Sequence, residues 1–202
     1  MKTKLLLSAL TCLAATPLFA GDSPAVGTNA PDFSVTDSKG KTQSVSQYKG
    51  KYVVLEWFNP ECPFVKKHYG GGNMQKLQEE VTGKGVVWLT VDSSAPGMQG
   101  NLTPDQANAK MTEWKSHSTA FLLDQDGKAG QTYGAKNTPH MFVINPEGKI
   151  IYEGAIDSKA SPNPADIPTS TNYVKVALDE ALAGKTVSNP TTRPYGCSVK
   201  YK

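Results

Sequence analysis

The 202-residue chain has one arginine, Arg193, three histidines and three cysteines, and its 21 basic residues nearly balance 18 acidic ones. A net charge of +3, spread along the chain, offers no basic patch for nucleic acid and no cationic face for a membrane surface. Beyond the first twenty residues no apolar run approaches the ~20 residues that a bilayer span needs, so no transmembrane anchor is expected. The cysteines are too few and too scattered for structural zinc, which wants four close ligands. A copper carrier using soft thiolates would want a close cysteine pair with a partnering histidine, which is also missing. No metal or cofactor is therefore expected, and there is no internal repeat or domain linker.

What is present begins with Lys2 and Lys4, a short positive segment before the uncharged apolar run from Leu5 to Ala15. With Leu18-Phe19-Ala20 as its end, residues 1–20 read as a secretory signal peptide, although Leu18 is larger than usual at that place. Cys12 follows Thr11 inside the apolar run, which does not suit a lipoprotein. Residues 21–202 then form one exported domain, periplasmic or secreted, with two cysteines, Cys62 and Cys197. In an oxidising compartment such a pair can bond.

The pattern along the domain alternates. Phe33–Thr36 and Thr42–Val45 flank Ser38-Lys39-Gly40-Lys41 as a small hairpin. Lys51–Phe58 is a nearly continuous apolar strand of the kind buried on both faces of a parallel sheet. Pro63 suits the first position of a helix that Gly70-Gly71-Gly72 stops, and a second helix covers about Asn73–Val81. Val86–Val91 is another strand. After a Ser/Gly/Pro-rich stretch from Ser93 to Asn101, Thr103-Pro104-Asp105-Gln106 has the form of a capping box, with Ala107, Met111 and Trp114 on one face. Ala120–Leu123 is a strand, and Met141–Ile144 and Ile150–Tyr152 form a late hairpin. Residues 158–170 read as a surface loop. The last helix, Asn172 to Ala183, presents Val174, Ala177, Leu178, Ala181 and Leu182, and Gly184 ends it. Strands alternating with helices and then a hairpin give an α/β fold: a central mixed sheet flanked by helices, with an N-terminal β-hairpin extension and one helical insertion.

Pro31-Asp32-Phe33, the run Trp57-Phe58-Asn59-Pro60-Glu61-Cys62-Pro63-Phe64, and Thr138-Pro139 occur in an order and spacing that resembles the peroxiredoxin-like (alkyl hydroperoxide reductase/thiol-specific antioxidant, redoxin) branch of the thioredoxin superfamily. The resemblance covers about residues 31–201, and it implies a thioredoxin-like fold and thiol redox chemistry at Cys62. That role has a physical basis. A sulfur between a buried strand and a helix N-terminus meets free N–H groups and the positive dipole end, which favour the thiolate. The bland alternative is a small buried residue.

The resemblance also assigns Thr138-Pro139 to a cis-proline loop beside the substrate, and Glu56 to the position of a buried acid able to move a thiol proton. A Glu56 that reaches solvent at a strand edge is the competing reading. Two departures stand out. Val65 occupies the place of a thioredoxin's second cysteine, and Asn59 that of the peroxiredoxin hydroxyl residue. Cys197, in Thr192-Arg193-Pro194-Tyr195-Gly196-Cys197, becomes the possible resolving cysteine, carried on a mobile arm that would also bring Arg193 to the thiolate. A static Cys62–Cys197 staple is the alternative, worth about 5 kcal/mol by chain entropy. His68 lies about 240° around the helix from Cys62 and is expected at the surface, whereas His140 is a candidate for the cleft. His117 carries no expected role. The expected activity is thiol–disulfide exchange or weak thiol peroxidation, with protein thiols, disulfides or peroxides as substrates and an external reductant. The alternative is a binding module without enzymatic activity.

Overall fold

The computed structural model describes residues 23–202, so the signal-peptide reading of residues 1–20 lies outside the described residues. A two-stranded hairpin, β1 (Val35–Thr36) and β2 (Thr42–Gln43), precedes β3 (Val53–Trp57), α1 (Pro63–Gly70), α2 (Asn73–Gly83) and β4 (Val87–Asp92). Then come α3 (Pro104–Glu113), β5 (Ala120–Leu123), α4 (Lys128–Thr132), β6 (Asn137–Thr138), β7 (His140–Ile144), β8 (Ile150–Gly154), α5 (Tyr173–Leu182) and β9 (Cys197–Ser198). The main sheet has the order β5-β4-β3-β7-β8. β3, β4 and β5 run parallel, and β7 and β8 are antiparallel to their neighbours.

β3 sits at the centre because its side chains satisfy both faces. Val53, Leu55 and Trp57 enter one apolar cluster, and Val54 and the following Phe58 enter the other. Every residue of β3 is buried, as its continuous apolar run implies. The alternation also sends Glu56 inward, on the face covered by α1, α2 and α5. α3 starts on the capping box read from Thr103 and Gln106, with both reciprocal hydrogen bonds formed. α5 is capped by Asn172, whose side chain accepts from the Lys175 N–H, and it buries Val174, Ala177, Leu178 and Ala181. Leu182, assigned to that face from its spacing, is instead exposed.

Three pieces depart from the sequence reading. α4 is a five-residue helix behind an αL glycine cap, too short for periodicity to reveal. The loop 158–170 contains a 3-10 turn, Pro164–Thr169, that packs on α1. A Cβ on Gly71 would meet Ile167 Cδ1 of that turn at 2.5 Å, so this glycine lets the turn approach as well as ending the helix. Finally, the C-terminal tail is no free arm, because it is pinned along its length. Glu153 N donates to Pro190 O and Thr192 N to Glu153 O. Val199 N donates to Lys136 O, and the Tyr201 hydroxyl donates to Ala135 O at 2.7 Å. Within this strap β9 pairs antiparallel with β6, setting Cys197 opposite Thr138.

Candidate active site

Cys62 is the residue before α1, with extended backbone (φ −69°, ψ 123°), and Pro63 supplies the first helical position. The strand-to-helix turn is fixed by Asn59. Its Oδ1 accepts the Glu61 N–H at 2.8 Å and its Nδ2 donates to Gln99 O at 3.0 Å, tying the turn to the loop before α3. Both ends of the Asn59 amide are thereby engaged. Cys62 is only 1% exposed, and its thiol donates to Thr138 O at 3.0 Å. The Thr138–Pro139 peptide bond is cis, as the resemblance implied, so the loop stands directly against the sulfur.

Cys197 approaches from the other side. Gly196 makes this possible: its φ is +132°, and a Cβ there would lie 2.0 Å from Thr138 O. Asn137 Nδ2 donates to Gly196 O at 3.1 Å and locks the same crossing. Both cysteines are free thiols, Cys62 buried and Cys197 half-buried, and each shifts the titration of the other. The two sulfurs titrate in opposite directions. Burial pushes the Cys62 thiol up, but this is outweighed by Cys197, Thr138 and the backbone N–H groups of Val65 and Cys197, leaving it below an ordinary cysteine. Cys197 is pushed up to about 11 by burial and by sharing its proton with Cys62. Cys62 is thus the sulfur more disposed to the thiolate, and Cys197 the one more disposed to keep its proton. Arg193, expected beside the thiolate, is instead exposed and is not among the groups that lower Cys62.

Glu56 is fully buried. Its Oε2 accepts from Trp88 Nε1 (2.8 Å) and the Tyr69 hydroxyl (3.0 Å), with Gln78 Nε2 and the Thr90 hydroxyl each at 3.4 Å. Its Oε1 has no partner among the described residues. Burial raises the carboxyl to about 7, despite those four donors. Its hydrogen bonds reach α1, α2 and β4 and neither sulfur. His140, next to the cis-proline, is buried with its Nε2 3.2 Å from Glu153 Oε2, on the side of the sheet away from Cys62.

Sequence reasoning missed the polar cluster on the far side of α1. His68 is completely buried, because the strap and the loop after β8 cover the helix face that points away from Cys62. Lys67 Nζ lies 3.0 Å from Asp157 Oδ2 and 3.0 Å from Lys159 O, and both members of that pair are buried. The Tyr195 hydroxyl donates to Asp157 Oδ1. His68 accepts from Asn73 Nδ2 at Nδ1 (2.9 Å) and faces the Tyr195 oxygen with Nε2 (3.4 Å). Burial lowers His68 to about 4, against the pull of Asp157, so the ring is neutral near pH 7. The paths of the tail and of the loop after β8 explain this cluster, and no local periodicity carries either.

A thioredoxin fold with a nucleophile-type cysteine at a helix start, a cis-proline against its sulfur and a second thiol delivered by the tail defines a redoxin-type site. Residues 26–153 match the AhpC/TSA family, and the chain belongs to that family. The match ends before the strap. Among curated proteins the chain is similar to thiol-disulfide oxidoreductase ResA of Bacillus subtilis (strain 168), 29% identical over 66% of this chain and 70% of that one. It is also similar to ResA of Geobacillus thermodenitrificans, 26% identical over 74% and 83%. Among solved structures, a hypothetical protein of Sinorhizobium meliloti 1021 superposes with TM-score 0.76 at 22% identity, covering 90% of this chain and 97% of that one. The thioredoxin domain of a thiol-disulfide oxidoreductase from Bacteroides vulgatus gives TM-score 0.54 at 22% identity, covering 73% and 98%. These structures share the fold.

Proposed function

We propose that the protein is a thiol-disulfide oxidoreductase in which Cys62 is the nucleophile and Cys197 the resolving cysteine. The observation that carries this reading is the β6–β9 pairing, which sets Cys197 beside Cys62 across the cis-proline loop. The Cys62 thiolate attacks one sulfur of a substrate disulfide, forms a mixed disulfide and expels the other sulfur as a thiolate, which takes a proton. Cys197 then gives up its proton and attacks Cys62 Sγ, forming the Cys62–Cys197 disulfide and releasing the second substrate thiolate. The substrate disulfide is reduced to two thiols and the protein pair is oxidised by the same two electrons. An external dithiol restores the pair. The proton that Cys197 gives up leaves with the departing substrate thiol, and Glu56, whose hydrogen bonds reach neither sulfur, is not needed to accept it. The similarity to proteins named thiol-disulfide oxidoreductase supports the same chemistry.

Peroxide is a poorer substrate on this reading, because Asn59 brings no hydroxyl to hold an incoming peroxide and its amide is tied to Gln99 and Glu61. The charged and apolar segments of residues 1–20 support export and an oxidising surrounding for the pair, and among the described residues no helix is long and apolar enough to cross a membrane. The direct test is Cys197→Ser with a model protein disulfide. A stable mixed disulfide on Cys62 is expected, and none with Cys62→Ser. Trapping on Cys197 in the Cys62→Ser variant, with none on Cys62, would reverse the roles.

A further inference from the structure

The strap carries Cys197, and its hold on the domain just before that cysteine runs through a buried ion pair. Tyr195, two residues from Cys197, packs its ring edge-on against Phe64 (centroids 5.7 Å) in the first turn of α1, with Lys67 Nζ 5.8 Å from its own centroid. Its hydroxyl ends on Asp157, which is fixed by Lys67 and by the Lys159 N–H. Lys67 is the one buried lysine among the described residues. A buried ion pair contributes little stability over an apolar replacement, so its physical use lies in fixing one geometry among several. Here the geometry it fixes joins two things: the helix whose start bears Cys62 and the strap that bears Cys197.

We propose that Tyr195 and Asp157 are positioning residues for the exchange between Cys62 and Cys197: seated on Lys67, they hold the strap so that the Cys197 sulfur faces Cys62. The proposal rests on the oxidoreductase reading above. Attack by Cys197 on a Cys62 mixed disulfide needs the two sulfurs aligned at near-contact distance, and a small displacement of the attacking group costs large factors in rate. The other anchors, at Thr192, at Gly196 to Ser198 and at Val199 to Tyr201, hold the strap to β8, to β6 and to the loops around β6 and α4. Only the Tyr195 anchor ties it to α1. Removing the phenolic oxygen therefore leaves the strap docked on β6 but loosens its one tie to the helix that Cys62 precedes.

The test uses 4,4′-dithiodipyridine with the reduced protein and follows release of two thiopyridones. The first reports attack by Cys62 on the reagent. The second reports attack by Cys197 on the mixed disulfide. Tyr195→Phe keeps the ring and is expected to slow the second release about tenfold or more, with the first changed by less than about twofold. Tyr195→Ala is expected to slow it further. Asp157→Asn, which leaves Lys67 without its charge partner, serves only if thermal unfolding shows it folded, and Tyr195→Phe carries the test without it. Equal second-phase rates in wild type and Tyr195→Phe would overturn the positioning role. If wild type itself released a single thiopyridone and formed no internal disulfide, the exchange between Cys62 and Cys197 would fall, and the positioning role with it.

Discussion

Glu56 offers a quantitative check on how the interior of this domain handles charge. The side chain is completely buried on the inner face of β3, and burial lifts its carboxyl from 4.5 to about 7. A raised value means that the folded protein keeps a proton the unfolded chain gives up. Below about pH 4.5 both states hold that proton and the site contributes its full stability. Between about pH 4.5 and 7 the unfolded chain ionises first, and stability declines until the folded carboxyl also ionises. The size of the rise corresponds to about 3 kcal/mol over this window. Glu56→Gln removes the effect. Its carbonyl oxygen can accept from Trp88 and Tyr69 as Oε2 does, and its NH2 takes the place of the unpartnered Oε1. Urea denaturation of both proteins in excess reductant, repeated from pH 4.5 to 8.5, measures the difference. Near-equal stability is expected at pH 4.5, with the variant gaining up to about 3 kcal/mol at pH 8.5. Asp92, raised by burial to about 7, tilts both proteins alike and cancels in the comparison. A difference independent of pH would refute the reasoning and show that folding does not raise the Glu56 carboxyl.

Other consequences concern the sulfurs and the strap. Gly196→Ala puts a Cβ 2.0 Å from Thr138 O at a φ of +132°, so it should cost roughly 1–3 kcal/mol and sharply lower the yield of internal disulfide under a glutathione redox buffer. Cys197→Ala removes a hydrogen bond that favours the Cys62 thiolate, so the midpoint of Cys62 alkylation by iodoacetamide should move to higher pH; a midpoint that stays put would mean that the helix and loop amides set it alone. Peroxide consumption should be slow beside disulfide exchange, and Asn59→Thr should not restore it, because the turn loses the bonds to Glu61 and Gln99 that shape it; a fast Asn59→Thr peroxidase would contradict this.

The parts of the molecule legible in the sequence were those that local rules encode. β3 announced itself by continuous apolar residues, α1 by Pro63 and the glycines after it, and α3 by its capping box. The cis-proline followed from the resemblance, and the structure has it. What stayed hidden depends on chain segments that meet late. β6 and β9 are two residues long, and each exists only because the other is there. His68 read as a surface residue on a short polar helix, yet it and its neighbour Lys67 are buried once the strap and the loop after β8 close over them. For the same reason Arg193, expected beside the thiolate, ends exposed: the strap presents Tyr195 and Cys197 inward and turns the arginine out. A tail without periodicity gives no warning of which side chains it will bury.

The central claim is that Cys62 and Cys197 form a working redox pair within one chain. It is tested most directly by peptide mapping of the fully oxidised, monomeric protein by mass spectrometry, before and after equilibration with a glutathione buffer. The expected result is an intramolecular Cys62–Cys197 disulfide that opens at potentials above about −300 mV, as reactive rather than structural bridges do. Two free thiols after full oxidation, or Cys62 carried on to sulfinic acid with Cys197 untouched, would contradict it.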